Sequence, residues 1–178
     1  YIFSGSAVLD QENTSGLGTS SNPPVVAIYT YHDMEGEKSG KSDYQSQAIA
    51  YSIDEGETWI KYPNNPVLPN QGIRDFRDPK VRKYQSSNGE NQWLMTLAAK
   101  DRIQFYSSPD LKSWSLLSEF GQDVGAHGGV WECPDLIPFK TPDGKEKWVL
   151  LVSINPGGPQ KGSATQYFIG DFVDGTFT

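Results

Sequence analysis

The chain has 178 residues, enough for about one domain, and a net charge of −7 with no basic stripe, which disfavours nucleic acid and anionic membrane as partners. A single cysteine excludes an internal disulfide, and two distant histidines give no zinc-type spacing. No apolar run nears the roughly 18 residues of a membrane span, and no signal peptide is visible ahead of YIFSGSAVLD.

Helical periodicity is weak throughout, and the predicted elements are strands. A short aromatic-led segment, FSGSAV (3–8), opens the series, and the apolar strand PVVAIYTY (24–31) follows. A polar insertion, HDMEGEKSGKSDY (32–44), leads to the strands SQAIAYS (46–52) and TWIKY (58–62). The pattern then restarts with FRDPKV (76–81), WLMTLAA (93–99) and IQFYS (103–107). It starts again at WECPDL (131–136), WVLLVSI (148–154) and, past NPGGPQKGS, TQYFIGDF (165–172). These segments are short, rich in aromatic and β-branched residues, and bounded by Gly, Pro, Asn and Asp, so the chain reads as all-β.

The restarts share one offset. FRDPKV and WECPDL align 55 residues apart, as do Trp93 and Trp148, Tyr51-Ser52 and Tyr106-Ser107, and Trp59 and Trp114. Four short strands at this period are the pattern of a β-propeller blade. The expectation is a partial β-propeller over residues 1–178, about three blades beginning near residues 3, 76 and 131. Three blades do not close a ring, so further blades are expected outside this chain. SIDEGETW (52–59) fits S-x-D-x-G-x-T-W, and SSPDLKSW (107–114) is a degenerate copy. Asp54 and Asp110 are read as structural, accepting backbone N–H bonds within turns.

The innermost strand of each blade runs beside the axis, so equivalent positions converge on one funnel. The repeat equates Ser4, Arg77 and Glu132, and then Gly5, Asp78 and Cys133. An Arg–Asp pair, a glutamate and nearby aromatics suit a sugar, whose hydroxyls they can bond in fixed geometry. Glycoside hydrolysis needs one carboxylic acid to protonate the leaving oxygen and a second carboxylate opposite it. Trp131 beside Glu132 permits an apolar setting that favours the protonated acid. The bland alternatives are a strand-start acid for Glu132 and an ion pair of Asp78 with Arg77, Arg74 or Lys80. For Cys133, a small buried hydrophobe is favoured over a catalytic pair with His127.

These motifs resemble the RDP and EC motifs of glycoside hydrolase family 32, the β-fructosidases. FSGSAVLDQENTSG is similar to that family's F-S-G-S segment, and NPGGPQKGSATQYFIGDFVDGTF to a stretch of its exo-inulinase and levanase members. The likeness covers nearly the whole chain in the family's order. It implies a five-bladed propeller and retaining release of terminal β-fructofuranosyl units from fructans or sucrose. Carried over by motif, Glu132 would be the general acid/base and Asp78 the transition-state stabiliser. Arg77 would contact substrate and orient Glu132. Phe3 and Ser4 would line the subsite for the terminal fructosyl ring, with Trp131 near it, and Cys133 would be a packed neighbour.

The family's nucleophile lies in an N-D-P-N-G motif upstream of the F-S-G-S segment, and no such motif occurs here; Asp10, Asp33 and Asp43 lack its context. The chain is therefore expected to be a central piece, lacking the nucleophile blade and the C-terminal remainder, and inactive and unstable alone. No cofactor and no metal are expected. The partners expected are a fructose-containing oligo- or polysaccharide and the rest of the chain's own propeller. Fructosyl transfer, and a non-catalytic carbohydrate-binding propeller, stand as alternatives. A sialidase is more distant, because the arginines are few. Polymeric fructans cross membranes poorly, so an extracellular, periplasmic or cell-surface location is expected. Asn13-Thr14-Ser15 is a weak glycosylation sequon.

Overall fold

Each aromatic-led segment begins a new antiparallel sheet. The computed structural model describes all residues, Tyr1 to Thr178. The first sheet runs β1 (Ile2–Leu9), β2 (Val25–His32), β3 (Gln45–Ser52), β4 (Ile60–Lys61) in spatial order. The second runs β5 (Phe76–Gln85), β6 (Asn91–Ala99), β7 (Arg102–Ser108), β8 (Ser115–Phe120). The third holds β9 (Val130–Lys140), β10 (Glu146–Asn155) and β11 (Ala164–Gly170). A hairpin of β12 (Phe172–Val173) and β13 (Thr176–Phe177) follows. The predicted strand TQYFIGDF breaks at Asp171, whose backbone exchanges hydrogen bonds with Thr178 instead.

The sheets stack face to face through two apolar cores. Val26, Ile28 and Ile49 of the first sheet meet Phe76, Val81, Trp93, Met95 and Leu97 of the second. The opposite face of the second sheet, with Leu94, Ala98, Ile103 and Phe105, meets Trp131, Leu136, Trp148, Leu150 and Val152. The middle sheet is thus covered on both faces, and this is why β6 reads as a nearly continuous apolar run. In β10, by contrast, the fully buried residues alternate: Trp148, Leu150, Val152, Ile154.

Two turns knit the outer strands. Asp54 accepts bonds from the Ser52 hydroxyl and from Thr58, while the Trp59 indole N–H donates to the Gly56 carbonyl. Asp110 accepts from the Ser108 hydroxyl and from the backbones of Lys112 and Ser113, and Trp114 closes on Leu111. The second turn is one residue shorter, so the serine equivalent to Ser52 is Ser108 and not the aligned Ser107. Both aspartates are structural, as expected from their sequence pattern.

Within the polar insertion the chain forms one helical turn, α1 (Met34–Lys38), with Asp33 at its N-cap position. Five residues are too few to carry a helical period, so hydrophobic patterning does not reveal it.

Candidate active site

The site is assembled where β1, β5 and β9 begin. Phe76 and Trp131 are buried and anchor the starts of β5 and β9 in the two cores. Each strand then bulges: Asp78-Pro79 lie opposite the single residue Leu97, and Cys133-Pro134 opposite Val152. Asp78 and Cys133 both take positive φ, 63° and 48°. A bulge re-aims side chains, and non-glycine residues in this region hold strain of order 1–3 kcal/mol that surrounding contacts must maintain.

Those contacts join all three sheets. The Asp78 backbone N–H donates to the Thr30 hydroxyl on β2 at 2.9 Å. That hydroxyl donates to Gln47 Oε1, whose amide in turn donates to the Phe76 carbonyl, each at 2.9 Å. On the other side, Asp78 Oδ2 accepts the backbone N–H of Cys133 at 2.9 Å and its thiol at 3.6 Å. Asp78 is almost fully buried and forms no ion pair: Lys80 goes to Asp135, and Arg77 goes elsewhere.

Arg77 bridges two carboxylates, Nη1 reaching Asp75 Oδ1 at 2.6 Å and Nη2 reaching Glu132 Oε1 at 3.0 Å. Burial opposes its charge, but the bonds to Asp75 and Glu132 outweigh that and hold its pKa above the ordinary value. Cys133 is not the buried hydrophobe expected from the sequence: its positive-φ bulge turns it out of the core, and it stands exposed in the cleft. Partial desolvation there, reinforced by the Asp78 carboxylate, pushes its thiol up to about 11. A thiol held protonated at neutral pH is a poor nucleophile, and His127 lies instead against Trp131, with Nε2 at the Val124 carbonyl.

A cleft of about 740 Å³ brings Phe3, Ser4, Arg77, Asp78 and Glu132 together. Trp131 does not join them. It is fully buried between the second and third sheets, stacked with Phe168 and donating from Nε1 to the Ala126 carbonyl. The physical reason is strand alternation: adjacent side chains leave opposite faces, so Glu132 in the cleft sends Trp131 into the core. Glu132 therefore meets a guanidinium and not an apolar indole. The aligned equivalence of Ser4 with Arg77 also needs correction. The bulge in β1 falls at Phe3-Ser4, opposite Thr30, two residues earlier than the alignment places it.

The cleft is completed by residues outside the motifs. Asp75 holds Arg77, Tyr44 donates to Asp75 Oδ1 at 3.4 Å, and His32, Glu37 and Gln45 line one wall. The signal for Asp75 is its place in the charged run RDFRDP, beside the RDP motif. The others sit in or beside the insertion, where only the fold shows which way they face.

The family model for the glycosyl hydrolases family 32 N-terminal domain matches residues 1–178. The chain belongs to glycoside hydrolase family 32. It is 55% identical to a levanase of Bacillus subtilis over 98% of its length. A fructofuranosidase of Schwanniomyces occidentalis, solved with fructose, superposes with a TM-score of 0.86 at 43% identity over 99% of the chain. An exo-inulinase of Aspergillus awamori superposes at 0.84, with 40% identity over 99%. The family 32 chain described here spans 24% of the levanase and 33% and 37% of the two solved chains.

Proposed function

We propose that this chain is the central part of a family 32 glycosidase that releases terminal β-D-fructofuranosyl units from fructans or sucrose with retention. The observation that carries the reading is Arg77 held between Asp75 and Glu132 at the cleft, beside a buried, unpaired Asp78. Its relatives are a levanase, exo-inulinases and an invertase.

In this reading Glu132 is the general acid/base. It gives its proton to the glycosidic oxygen as that bond breaks, then takes a proton from the water that attacks the fructosyl-enzyme. Arg77 fixes the carboxyl through Oε1, and the chain places no donor on Oε2. Asp78 is the transition-state stabiliser: Cys133 occupies Oδ2, and Oδ1 has no protein donor, so it can bond fructosyl hydroxyls. Ser4 and Phe3 contact the same ring.

The nucleophile is a carboxylate outside residues 1–178. Retention needs it about 5–5.5 Å from Glu132, and the carboxylates in reach are otherwise engaged. Asp75 is tied to Arg77, Asp78 to Cys133, and Glu37 to His32. The three sheets would be blades of a five-bladed propeller whose remainder supplies that carboxylate. An extracellular location fits a polymeric substrate and relatives named extracellular exo-inulinases.

Glu132→Ala in the full-length polypeptide tests the assignment. Fructose release from sucrose, inulin and levan is expected to fall by about 10²–10⁴-fold. Undiminished release from all three sinks it.

A further inference from the structure

We propose that His32 is a positioning residue that sets the plane of Phe3 in the cleft, clamped by Glu37 of the insertion and by Gln45. The inference rests on the function proposed for the cleft, in which Phe3 packs against the terminal fructosyl ring.

Phe3 is the exception among the aromatic-led strand starts. Phe76 and Trp131 are 2% and 0% exposed and anchor cores, whereas Phe3 is 39% exposed and lines the cleft. The early bulge in β1 accounts for the difference, because a displaced bulge changes which side chains face the core. Phe3 thus lacks a core to hold it.

The ring that supports Phe3 is His32. The two rings lie nearly parallel, with centroids 4.2 Å apart and planes 12° apart, and His32 is 3% exposed. Tyr44 packs edge-on against the imidazole at 5.2 Å.

Both ring nitrogens of His32 are engaged, so its plane is fixed. Gln45 Nε2 lies 3.1 Å from Nδ1, and Glu37 Oε2 lies 3.0 Å from Nε2. An amide nitrogen only donates and a carboxylate only accepts. The neutral tautomer with its proton on Nε2 satisfies both contacts. Gln45 is the cross-strand partner of His32 in the β2–β3 pair. Glu37 comes from α1, so the polar insertion brings one carboxylate to one imidazole.

An apolar ring face contacts ground state and transition state alike, so loosening it acts on substrate binding more than on the chemical step. The test uses the full-length polypeptide with sucrose, measuring kcat, KM and Tm for four variants. His32→Ala and His32→Phe are each expected to raise KM at least fivefold while kcat stays within about threefold. His32→Phe keeps an aromatic ring but loses both hydrogen bonds. Glu37→Ala is expected to raise KM at least threefold, and Glu37→Gln, which retains an acceptor, to recover most of that rise.

A KM unchanged in Glu37→Ala and in His32→Phe overturns the proposal, as does a fall in Tm or kcat with KM constant. If His32→Ala does not fold, the Glu37 pair decides, since that side chain is 37% exposed and outside the cores. Failure of the underlying function is visible separately: the parent releases no fructose, or Glu132→Ala matches it.

Discussion

Arg77 holds Asp75 with one nitrogen and Glu132 with another, and the two contacts ask for a planar fork. Lysine offers a single point charge. Arg77→Lys is therefore expected to lower kcat/KM for sucrose by about 10-fold or more while changing Tm by only a few degrees, as read by kinetics and thermal unfolding. Cys133 supplies a second prediction at this scale. With its thiol at about 11, the reactive thiolate is scarce at pH 7 and grows as pH rises. Alkylation by iodoacetamide should be slow at pH 7 and accelerate about tenfold per pH unit up to about pH 10; because Cys133 is exposed, access does not limit the rate, and one already saturated at pH 8 would contradict the Asp78 contact. Much of this site is legible in the sequence, for a geometric reason. The Arg77–Glu132 and Asp78–Cys133 contacts each span 55 residues, the period of the repeat itself, so aligning the copies points to neighbours in space. What stays hidden depends on side-chain direction. Trp131 leaves the opposite face from Glu132, and Phe3 turns outward at a bulge displaced by two residues, and neither is encoded in spacing.

Among the elements, the aspartate turns show how local chemistry stabilises a strand junction. Hydrogen bonds from Ser52 and Thr58 hold Asp54 at about 2. Asp10 and Asp110 are also lowered: burial works against each charge, and bonds from Thr14 and Ser15, or from Lys112, Ser113 and Ser108, outweigh it. Depressed carboxyl values stabilise the fold above the unfolded value of about 4, and that contribution is lost as pH falls through the folded values. Tm in the full-length polypeptide should accordingly drop between about pH 4 and pH 2, and less so in Asp110→Asn. Asp110→Ala removes the acceptor for four bonds around one turn and should cost about 1–2 kcal/mol in denaturant unfolding. The Asp54 and Asp110 turns are readable from S-x-D patterns because every partner is within a few residues. Helix α1 is not, since a single turn has no periodicity to detect.

For the molecule as a whole, the second sheet is sandwiched and its neighbours are each covered on one face. Leu97→Ala, in the core between the first two sheets, should cost about 2–5 kcal/mol through lost burial and a cavity. Outer faces keep apolar side chains in contact with water: Tyr31 is 51% exposed, Tyr167 67% and Ile169 59%. Patches of this kind favour association, so the 178-residue chain expressed alone should self-associate in light scattering, and Tyr167→Glu with Ile169→Lys should reduce it. A monomeric, stable isolated chain would count against the need for covering blades. The all-β character and sheet order follow from the strand pattern, whereas the thickness of each interface does not, because it depends on which face of each strand finds a partner. Asp78 reaches across a seam to hold the backbone of Cys133, while Thr30 reaches across the previous seam to hold Asp78. The residue proposed to steady the substrate is therefore also a rivet between neighbouring plates. A substitution at Asp78 is expected to loosen the seating of the three sheets on one another together with the proposed chemistry, two kinds of damage from a single change.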